Sequence, residues 1–346
     1  MAPYDEIKPF TISVPEDELD QLRKKLELTR LPDELDLPPE LLAHTVSKII
    51  EELANPKDPN HPSFHIVAPS LPGYVFSQPA RTPGMHVAGT AYLFDKLMTK
   101  LGYKHYVAQG GDWGAIIARA LAVHHQDTCL AIHSNFNVLH FPKPFKNPIM
   151  TLKTVLGFAG LPGGYPKDEI DAIKSKKEFL ATGAGYQQIQ GTRPQTLAVG
   201  LTDSPVGLLA WIGEKLHEWT DNYPWTPEEL ITWTMLYWIK GPAGGLRYYK
   251  ENSVTGPPKD PELRAEFNRL IHPWSPTPHG FSWFPKDGPF PAEWNSIGAK
   301  LVYSKKHSKG GHFAAWEVPD EFARDIQNFV TIVLEEEPRL SSLNSA

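Results

Sequence analysis

The chain has 346 residues, a formal net charge of −6 at pH 7 and one cysteine. This length is enough to bury a large core, either as one domain with an insertion or as two domains. The acidic balance gives no electrostatic reason to expect nucleic acid or an anionic membrane as a partner. No secretion signal or long apolar stretch is visible, so no membrane span is expected. The lone Cys129 is expected to be a buried thiol in a reducing, cytoplasmic compartment.

The N-terminal part of the chain predicts a helical arm. Pro15 stands near the first helical position, and the helix is expected to run to about Leu31. Apolar side chains recur along it at helical spacing, so the arm needs a surface to lie against: Leu19, Leu22 and Leu26. A connector rich in proline and acidic residues follows over 32–39, and a second helix is predicted over Leu41–Leu53.

Strands and helices alternate between residues 64 and 134, which predicts an α/β fold with a mainly parallel sheet. The strands are expected over Phe64–Pro69, Tyr106–Gln109 and Cys129–His133, and the helices between them over Val87–Leu101 and Ala115–Val123. The loop Ser70–Tyr74 follows the first of these strands. Loops at the carboxyl ends of strands line the active-site crevice of such a sheet.

The amino-acid composition of the sequence changes after Phe141. Residues 142–265 are rich in proline, glycine and aromatic residues, and they predict a helical lid inserted into the α/β core. Helices are expected in this lid over Lys167–Leu180, Pro205–Glu218 and Pro227–Ile239. The sheet pattern resumes with runs at Gly280–Phe284 and Lys300–Tyr303, before a last helix over 319–335. The predicted organisation is an arm over 1–40, a core over 41–141 and 266–346, and a lid over 142–265.

The stretch Gly110-Gly111-Asp112-Trp113-Gly114 has the Gly-x-nucleophile-x-Gly pattern of a nucleophile elbow, with Asp in the position of the nucleophile. Its glycines allow a sharp turn, which leaves the Asp112 carboxylate at a helix N-terminus, able to attack carbon and form an ester. The pattern alone is weak, because it arises by chance in roughly one chain of this length in ten. The strand before it and the helix after it give it weight.

An esterified aspartate is released by water, which needs a base, and the base needs an acid to orient it. In this class of sheet the chain order is nucleophile, acid, histidine. His312 follows the last strand and precedes the last helix, where the base belongs, although a lone His in a Gly-rich loop is also typical of a surface turn. Asp287 follows the penultimate strand and is the candidate acid; the alternative is a turn residue before Gly288.

The lid is expected to supply a proton donor for a leaving oxygen. An alkoxide is a poor leaving group at neutral pH, and a phenol of pKa near 10 aimed at it would lower the barrier. Tyr186 and Tyr249 stand out in the lid, but spacing alone does not select them among the 12 tyrosines, and packing is the default role of an aromatic side chain.

Five separated motifs, taken together, resemble the microsomal-type, fungal branch of the epoxide hydrolases. They cover the chain from about residue 7 to 335 and occur in this order: Ile7-Lys8-Pro9-Phe10, Pro69-Ser70-Leu71-Pro72-Gly73-Tyr74, Gly110-Gly111-Asp112-Trp113-Gly114, Asp203-Ser204-Pro205-Val206-Gly207-Leu208 and Gly310-Gly311-His312-Phe313-Ala314-Ala315. The resemblance implies an α/β-hydrolase fold with an N-terminal arm and a helical lid.

The resemblance also implies the role of each site residue. Asp112 would be the nucleophile, His312 the base and Asp287 the orienting acid, with Tyr186 and Tyr249 as donors to the epoxide oxygen. Tyr249 is preferred over Tyr248 on its spacing to Lys250-Glu251. The backbone N–H of Trp113 would be an oxyanion donor. The implied partners are a small hydrophobic epoxide and water, with no metal or organic cofactor, and a homodimer is left open.

The sequence departs from the family in one place. Before the strand at residue 64 the family carries several dozen residues with the first strands of the sheet and a His-Gly-Trp-Pro loop that supplies part of the oxyanion hole. This sequence passes from Asp36-Leu37-Pro38 almost directly into Val46-Ser47-Lys48-Ile49-Ile50 and has no His-Gly-Trp-Pro. Two alternatives therefore stay open: an impaired or inactive variant of the same fold, and a haloalkane dehalogenase-like hydrolase, which shares the Asp elbow.

Overall fold

The computed structural model describes residues 15–28, 46–136, 141–252, 261–271, 273–288 and 290–341. The first residues of the predicted arm, the acidic connector and the start of the second predicted helix lie outside these ranges. Within them the helices are α1 (Glu16–Glu27), α2 (Ser47–Ala54), α3 (Val87–Lys100), α4 (Trp113–His124), α5 (Pro148–Phe158), α6 (Lys167–Thr182), α7 (Gly185–Thr192), α8 (Pro194–Asp203), α9 (Pro205–Trp219), α10 (Pro227–Trp238), α11 (Ala243–Glu251), α12 (Pro261–Ile271), α13 (Ala314–Glu317), α14 (Pro319–Glu336) and α15 (Pro338–Ser341).

The described strands form one parallel sheet in the order β1-β2-β3-β4. Their bounds are β1 (Tyr106–Gly110), β2 (Cys129–Ser134), β3 (Ser275–Trp283) and β4 (Ala299–Lys306). Every residue of β2 is buried, as expected for an interior strand that is covered on both faces. Helix α4 packs on one face, and α14 packs on the other through Phe329, Val330 and Val333. The prediction of a mainly parallel α/β sheet is confirmed.

The strand predicted over Phe64–Pro69 is wrong. This segment forms no strand, and β1 lies at the edge of the sheet. Ile66 is 36% exposed, and the segment is held locally, by the Phe64 N–H donating to the Leu53 carbonyl and by a 3.0 Å contact between His65 Nδ1 and the Tyr103 hydroxyl. Strand pairing needs a neighbour with free backbone groups, and this segment is not hydrogen-bonded to β1, the edge of the described sheet.

Helices α5 to α11 lie between β2 and β3, and we call this insertion the lid. Its three predicted helices are present as α6, α9 and α10, each within two residues of its predicted ends. Helix α10 begins with a complete capping box between Thr226 and Glu229, and α9 begins with Ser204 accepting the Gly207 N–H. These caps help to make α9 and α10 recognisable from sequence, whereas α5, α7, α8 and α11 were not predicted.

Helices α1 and α14 were also predicted from the sequence, and both are present in the structure. Helix α1 begins after Pro15 as expected, but it buries no residue, and its Lys25 contacts Asp203 of the lid. The last helix, α14, agrees with its prediction to within a residue. Among the described residues no single helix is long and apolar enough to cross a membrane; α8 and α9 pass that test only as a pair, and they meet at an angle of 116°.

Candidate active site

Asp112 lies at a strained turn between the edge strand β1 and helix α4. Its φ of 47° and ψ of −124° fall in a region that side-chain-bearing residues rarely occupy. A Cβ on Gly110 would lie 2.2 Å from the Gly114 carbonyl, so the turn closes only over a glycine. The Trp113 N–H donates to Asp112 Oδ1 at 2.6 Å. The other oxygen, Oδ2, points towards the loop after β4. This is the geometry of a nucleophile elbow.

His312 stands between two carboxylates. Its Nδ1 lies 3.0 Å from Asp287 Oδ1, and its Nε2 lies 3.5 Å from Asp112 Oδ2. Asp287 comes from the loop after β3 and His312 from the loop after β4. Because the strands are parallel, the loops at their carboxyl ends meet at one edge of the sheet. The structure thus brings together the nucleophile, base and acid that the sequence proposed.

The electrostatics of these groups follow from burial and from each other. Burial lowers the pKa of His312, but the charge and hydrogen bond of Asp287, with Asp112 and Glu317 behind them, outweigh it and raise that pKa to about 9. Burial raises the pKa of Asp112, against the opposing effects of His312 and the Trp113 N–H. The Asp112 side chain is 37% exposed.

The two candidate phenols lie side by side in the lid. The rings of Tyr186 and Tyr249 are 6.0 Å apart, edge to face, and the Tyr249 ring also lies 5.0 Å from that of Trp113. Burial, and then the negative charge of Asp112, raises the pKa of both phenols. Both are therefore protonated at neutral pH, as a proton donor must be.

Tyr248 has a different environment. It is buried, and its hydroxyl lies 3.0 Å from Thr90 Oγ1 of helix α3. Both rings lie against Trp113, at 5.3 Å for Tyr248 and 5.0 Å for Tyr249. Neighbouring residues on a helix point about 100° apart, so the Tyr248 hydroxyl reaches Thr90 while the Tyr249 ring lies against Tyr186. The environment favours Tyr249 as the second donor.

Three residues at the site were not indicated by the sequence. The Trp219 ring, at the end of α9, lies 5.0 Å from the His312 ring and 5.2 Å from that of Tyr186. Lys176 of α6 has its pKa lowered by burial, while Asp287 and Asp112 act in the opposite sense. Glu317 contacts the loop that carries His312. No local sequence pattern distinguishes these three residues, of which Trp219 and Lys176 lie in the lid and Glu317 in α13.

The oxyanion donors at this site are few. Within the described part of the chain, one backbone N–H, that of Trp113, donates to the Asp112 carboxylate. The second donor that the family resemblance implies would come from the His-Gly-Trp-Pro loop, which the sequence lacks. The negative oxygen of the tetrahedral intermediate in ester hydrolysis would therefore accept one backbone hydrogen bond, from the Trp113 N–H, instead of two.

Comparison with known proteins agrees with this geometry. The sequence matches the family model for the alpha/beta hydrolase fold over residues 42–169. A juvenile hormone epoxide hydrolase of Bombyx mori is 34% identical over 324 residues, which cover 86% of this chain and 67% of the relative. The chain belongs to the epoxide hydrolase family. The resemblance seen in the five motifs, and the α/β-hydrolase fold that it implied, are confirmed.

Other members of the family show the same likeness. Epoxide hydrolase 1 of Sus scrofa is 33% identical over 307 residues, which cover 83% of this chain and 64% of the relative. The structure of Aspergillus niger epoxide hydrolase superposes with a TM-score of 0.75 at 25% identity, covering 94% of this chain and 96% of that one.

The chain spans about two thirds of the length of these curated relatives, 67% and 64%. The alignment with the Bombyx mori protein is 324 positions long, but it covers only 86% of the 346 residues of this chain, which is fewer than 324. Some aligned positions are therefore residues of the relative that have no counterpart in this chain.

Proposed function

We propose that this member of the epoxide hydrolase family converts a small hydrophobic epoxide to a vicinal diol through an ester on Asp112. The proposal rests on the position of His312 between two carboxylates. Its Nε2 lies 3.5 Å from Asp112 Oδ2, and its Nδ1 lies 3.0 Å from Asp287 Oδ1. A carboxylate nucleophile, a base and an orienting acid are the three groups that an ester mechanism needs. The chemistry requires no metal or organic cofactor.

The first step forms the ester. Asp112 Oδ1 accepts the Trp113 N–H, which leaves Oδ2 to attack an epoxide carbon. As the new carbon–oxygen bond forms, the ring bond to the epoxide oxygen breaks, and that oxygen takes a proton from Tyr186 or Tyr249. The raised pKa of both phenols keeps that proton available at neutral pH.

The second step releases the diol. Ester formation removes the Asp112 charge, which is one of the effects that raise the pKa of His312, so the neutral imidazole becomes more accessible at this stage. Neutral His312 then takes a proton from water at Nε2, and the resulting hydroxide attacks the Asp112 carboxyl carbon. Negative charge collects on Oδ1 beside the Trp113 N–H, and the bond from the carboxyl carbon to Oδ2 then breaks. The diol leaves with Oδ2 and the proton from His312, while the proton left on the new carboxyl returns to the phenolate.

The incomplete oxyanion site predicts which step is slower. Losing one oxyanion donor typically costs 10²–10³ in rate, or about 3–4 kcal/mol of barrier. This cost falls on ester hydrolysis, since ester formation creates no tetrahedral oxyanion. We expect the enzyme to rest as the ester during turnover.

The direct test is to incubate the purified protein with styrene oxide and a panel of aliphatic epoxides and to measure diol by chromatography. Asp112→Ala is the control, because it removes the nucleophile. The proposal expects diol formation that the control abolishes. It is overturned if the protein unfolds cooperatively on heating yet shows no Asp112-dependent diol. Chloride release from a chloroalkane would instead indicate a dehalogenase.

A further inference from the structure

The Glu317 carboxylate accepts hydrogen bonds from the backbone of the loop that carries His312. Glu317 is the last residue of α13, and its Oε1 accepts the backbone N–H groups of Gly311 and Phe313, each at 3.1 Å. Its other oxygen, Oε2, accepts the N–H of Asp221 at 2.7 Å. Asp221 lies in the lid, just after α9. One carboxylate therefore binds backbone groups on both sides of the base and on the lid.

The lid contacts the same loop at two further points. Asp221 Oδ2 accepts the Gly310 N–H at 3.0 Å, and the Trp219 carbonyl accepts the His312 N–H at 2.9 Å. With the two bonds to Glu317, four consecutive N–H groups of the loop, from residue 310 to 313, have acceptors. The lid supplies two of these acceptors and Glu317 supplies the other two.

The glycines of this loop permit the close approach. A Cβ on Gly311 would lie 2.5 Å from the Trp219 carbonyl oxygen, a separation that forces the lid segment away. Gly310 has a φ of +101°, which other residues rarely adopt. The Trp219 ring then packs against the His312 ring from the lid side, 5.0 Å between centroids.

We propose that Glu317 and Asp221 are positioning residues that fix His312 for attack on the ester and tie its position to that of the lid. Neither side chain touches the reacting atoms; each acts through the backbone of the His312 loop. The inference rests on the proposed function, because it assigns these residues to the second of the two chemical steps. The first step uses Asp112 and the phenols and does not need His312 as a base.

This division gives a kinetic signature. When ester hydrolysis slows and ester formation does not, kcat and KM fall together and kcat/KM stays constant, because kcat/KM reports the step up to the ester. A variant that merely loses folded protein shows a lower kcat with an unchanged KM. Misplacement of a catalytic group by about 1 Å costs on the order of 10²-fold in rate.

The experiment compares Glu317→Gln, Asp221→Ala and wild type on styrene oxide. A glutamine has one acceptor oxygen where the carboxylate uses both, so it cannot bind the loop and the Asp221 N–H together. We expect kcat and KM to fall together by about 10–100-fold in Glu317→Gln and by a smaller factor in Asp221→Ala. Mass spectrometry of the quenched variants should show protein carrying one epoxide equivalent.

Glu321→Gln is the matched control, because Glu321 is exposed four residues further along the chain. Its kinetics should equal those of wild type. The inference is overturned if Glu317→Gln, folded as judged by its thermal transition, lowers kcat/KM with KM unchanged, or turns over like wild type. If wild type itself forms no covalent adduct and no diol, the proposed function fails, which is a different and separable result.

Discussion

Asp287 Oδ1 lies 3.0 Å from His312 Nδ1, and its second oxygen, Oδ2, is buried without a hydrogen-bond partner in the part of the chain that the structure describes. A buried carboxylate with one satisfied oxygen is costly unless an opposite charge stands beside it. The protonated imidazole is that charge. The charge and hydrogen bond of Asp287 therefore raise the pKa of His312.

The Asp287→Asn variant tests this effect. Removing the charge takes away the largest effect that raises the pKa of His312, so burial should lower that pKa from about 9, against the remaining charges of Asp112 and Glu317. NMR titration of ¹⁵N-labelled histidine measures the change, with assignment by His312→Gln. An unchanged pKa would mean that Asp287 does not set it. We also expect kcat to fall by about 10²–10⁴-fold, because the imidazole loses its orienting partner.

The same pKa predicts how stability depends on pH. The folded-state pKa of His312, about 9, lies above the ordinary value of 6.5, so folding favours the protonated imidazole. Its contribution is complete below pH 6.5 and is lost as the pH rises through 9. A shift of this size corresponds to on the order of 3 kcal/mol at most. Urea unfolding at pH 6, 8 and 10 should show the stability advantage of wild type over His312→Gln shrinking with pH. Parallel curves would contradict the prediction.

The tyrosines separate into a chemical and a structural role. Tyr249→Phe should lower kcat/KM by about 10²–10³-fold, because ester formation loses a proton donor, and Tyr186→Phe should act similarly. Tyr248→Phe should instead leave kcat/KM within a few-fold and cost about 1 kcal/mol of folding free energy through the lost contact with Thr90. Steady-state kinetics and thermal unfolding of the three variants measure both effects. A larger kinetic loss in Tyr248→Phe than in Tyr249→Phe would reverse the assignment.

The two glycines of the elbow should respond differently to alanine. At Gly110 a Cβ would meet the Gly114 carbonyl at 2.2 Å, so Gly110→Ala should prevent the turn and cost several kcal/mol or abolish folding. At Gly114 no described atom lies within 4 Å of the added Cβ, and the residue is helical. Gly114→Ala should therefore fold and gain about 0.5–1 kcal/mol. Equal destabilisation by both substitutions, measured by thermal unfolding, would contradict this reading of the turn.

Local sequence signals made the elbow, three of the seven lid helices (α6, α9 and α10) and the C-terminal helix α14 predictable. The turn at Asp112 needs glycine at residue 110, α10 has its capping box, and α14 begins with Pro319 at its first position. Such features depend on residues a few positions apart, so they are visible in a linear sequence. The order of nucleophile, acid and histidine then pointed to Asp287 and His312, whose side chains lie 3.0 Å apart in the structure.

Features that depend on distant residues were not predictable in the same way. Phe64–Pro69 has the composition of a strand, but a strand forms only with a partner, and composition does not show whether that partner exists. Glu317 and Asp221 are 96 positions apart and meet only because the lid folds back over the sheet. The choice between Tyr248 and Tyr249 depends on which ring lies against Tyr186 and which hydroxyl contacts Thr90, and packing alone decides that.

The central claim is that an oxygen of Asp112 enters the diol and an oxygen of water replaces it. The most direct measurement is a single turnover in H₂¹⁸O with enzyme in excess over epoxide, followed by mass spectrometry of the diol and of the peptide containing Asp112. The mechanism predicts unlabelled diol and one ¹⁸O in the peptide. Label in the diol, with none in the peptide, would show that water attacks the epoxide directly and would contradict the ester route.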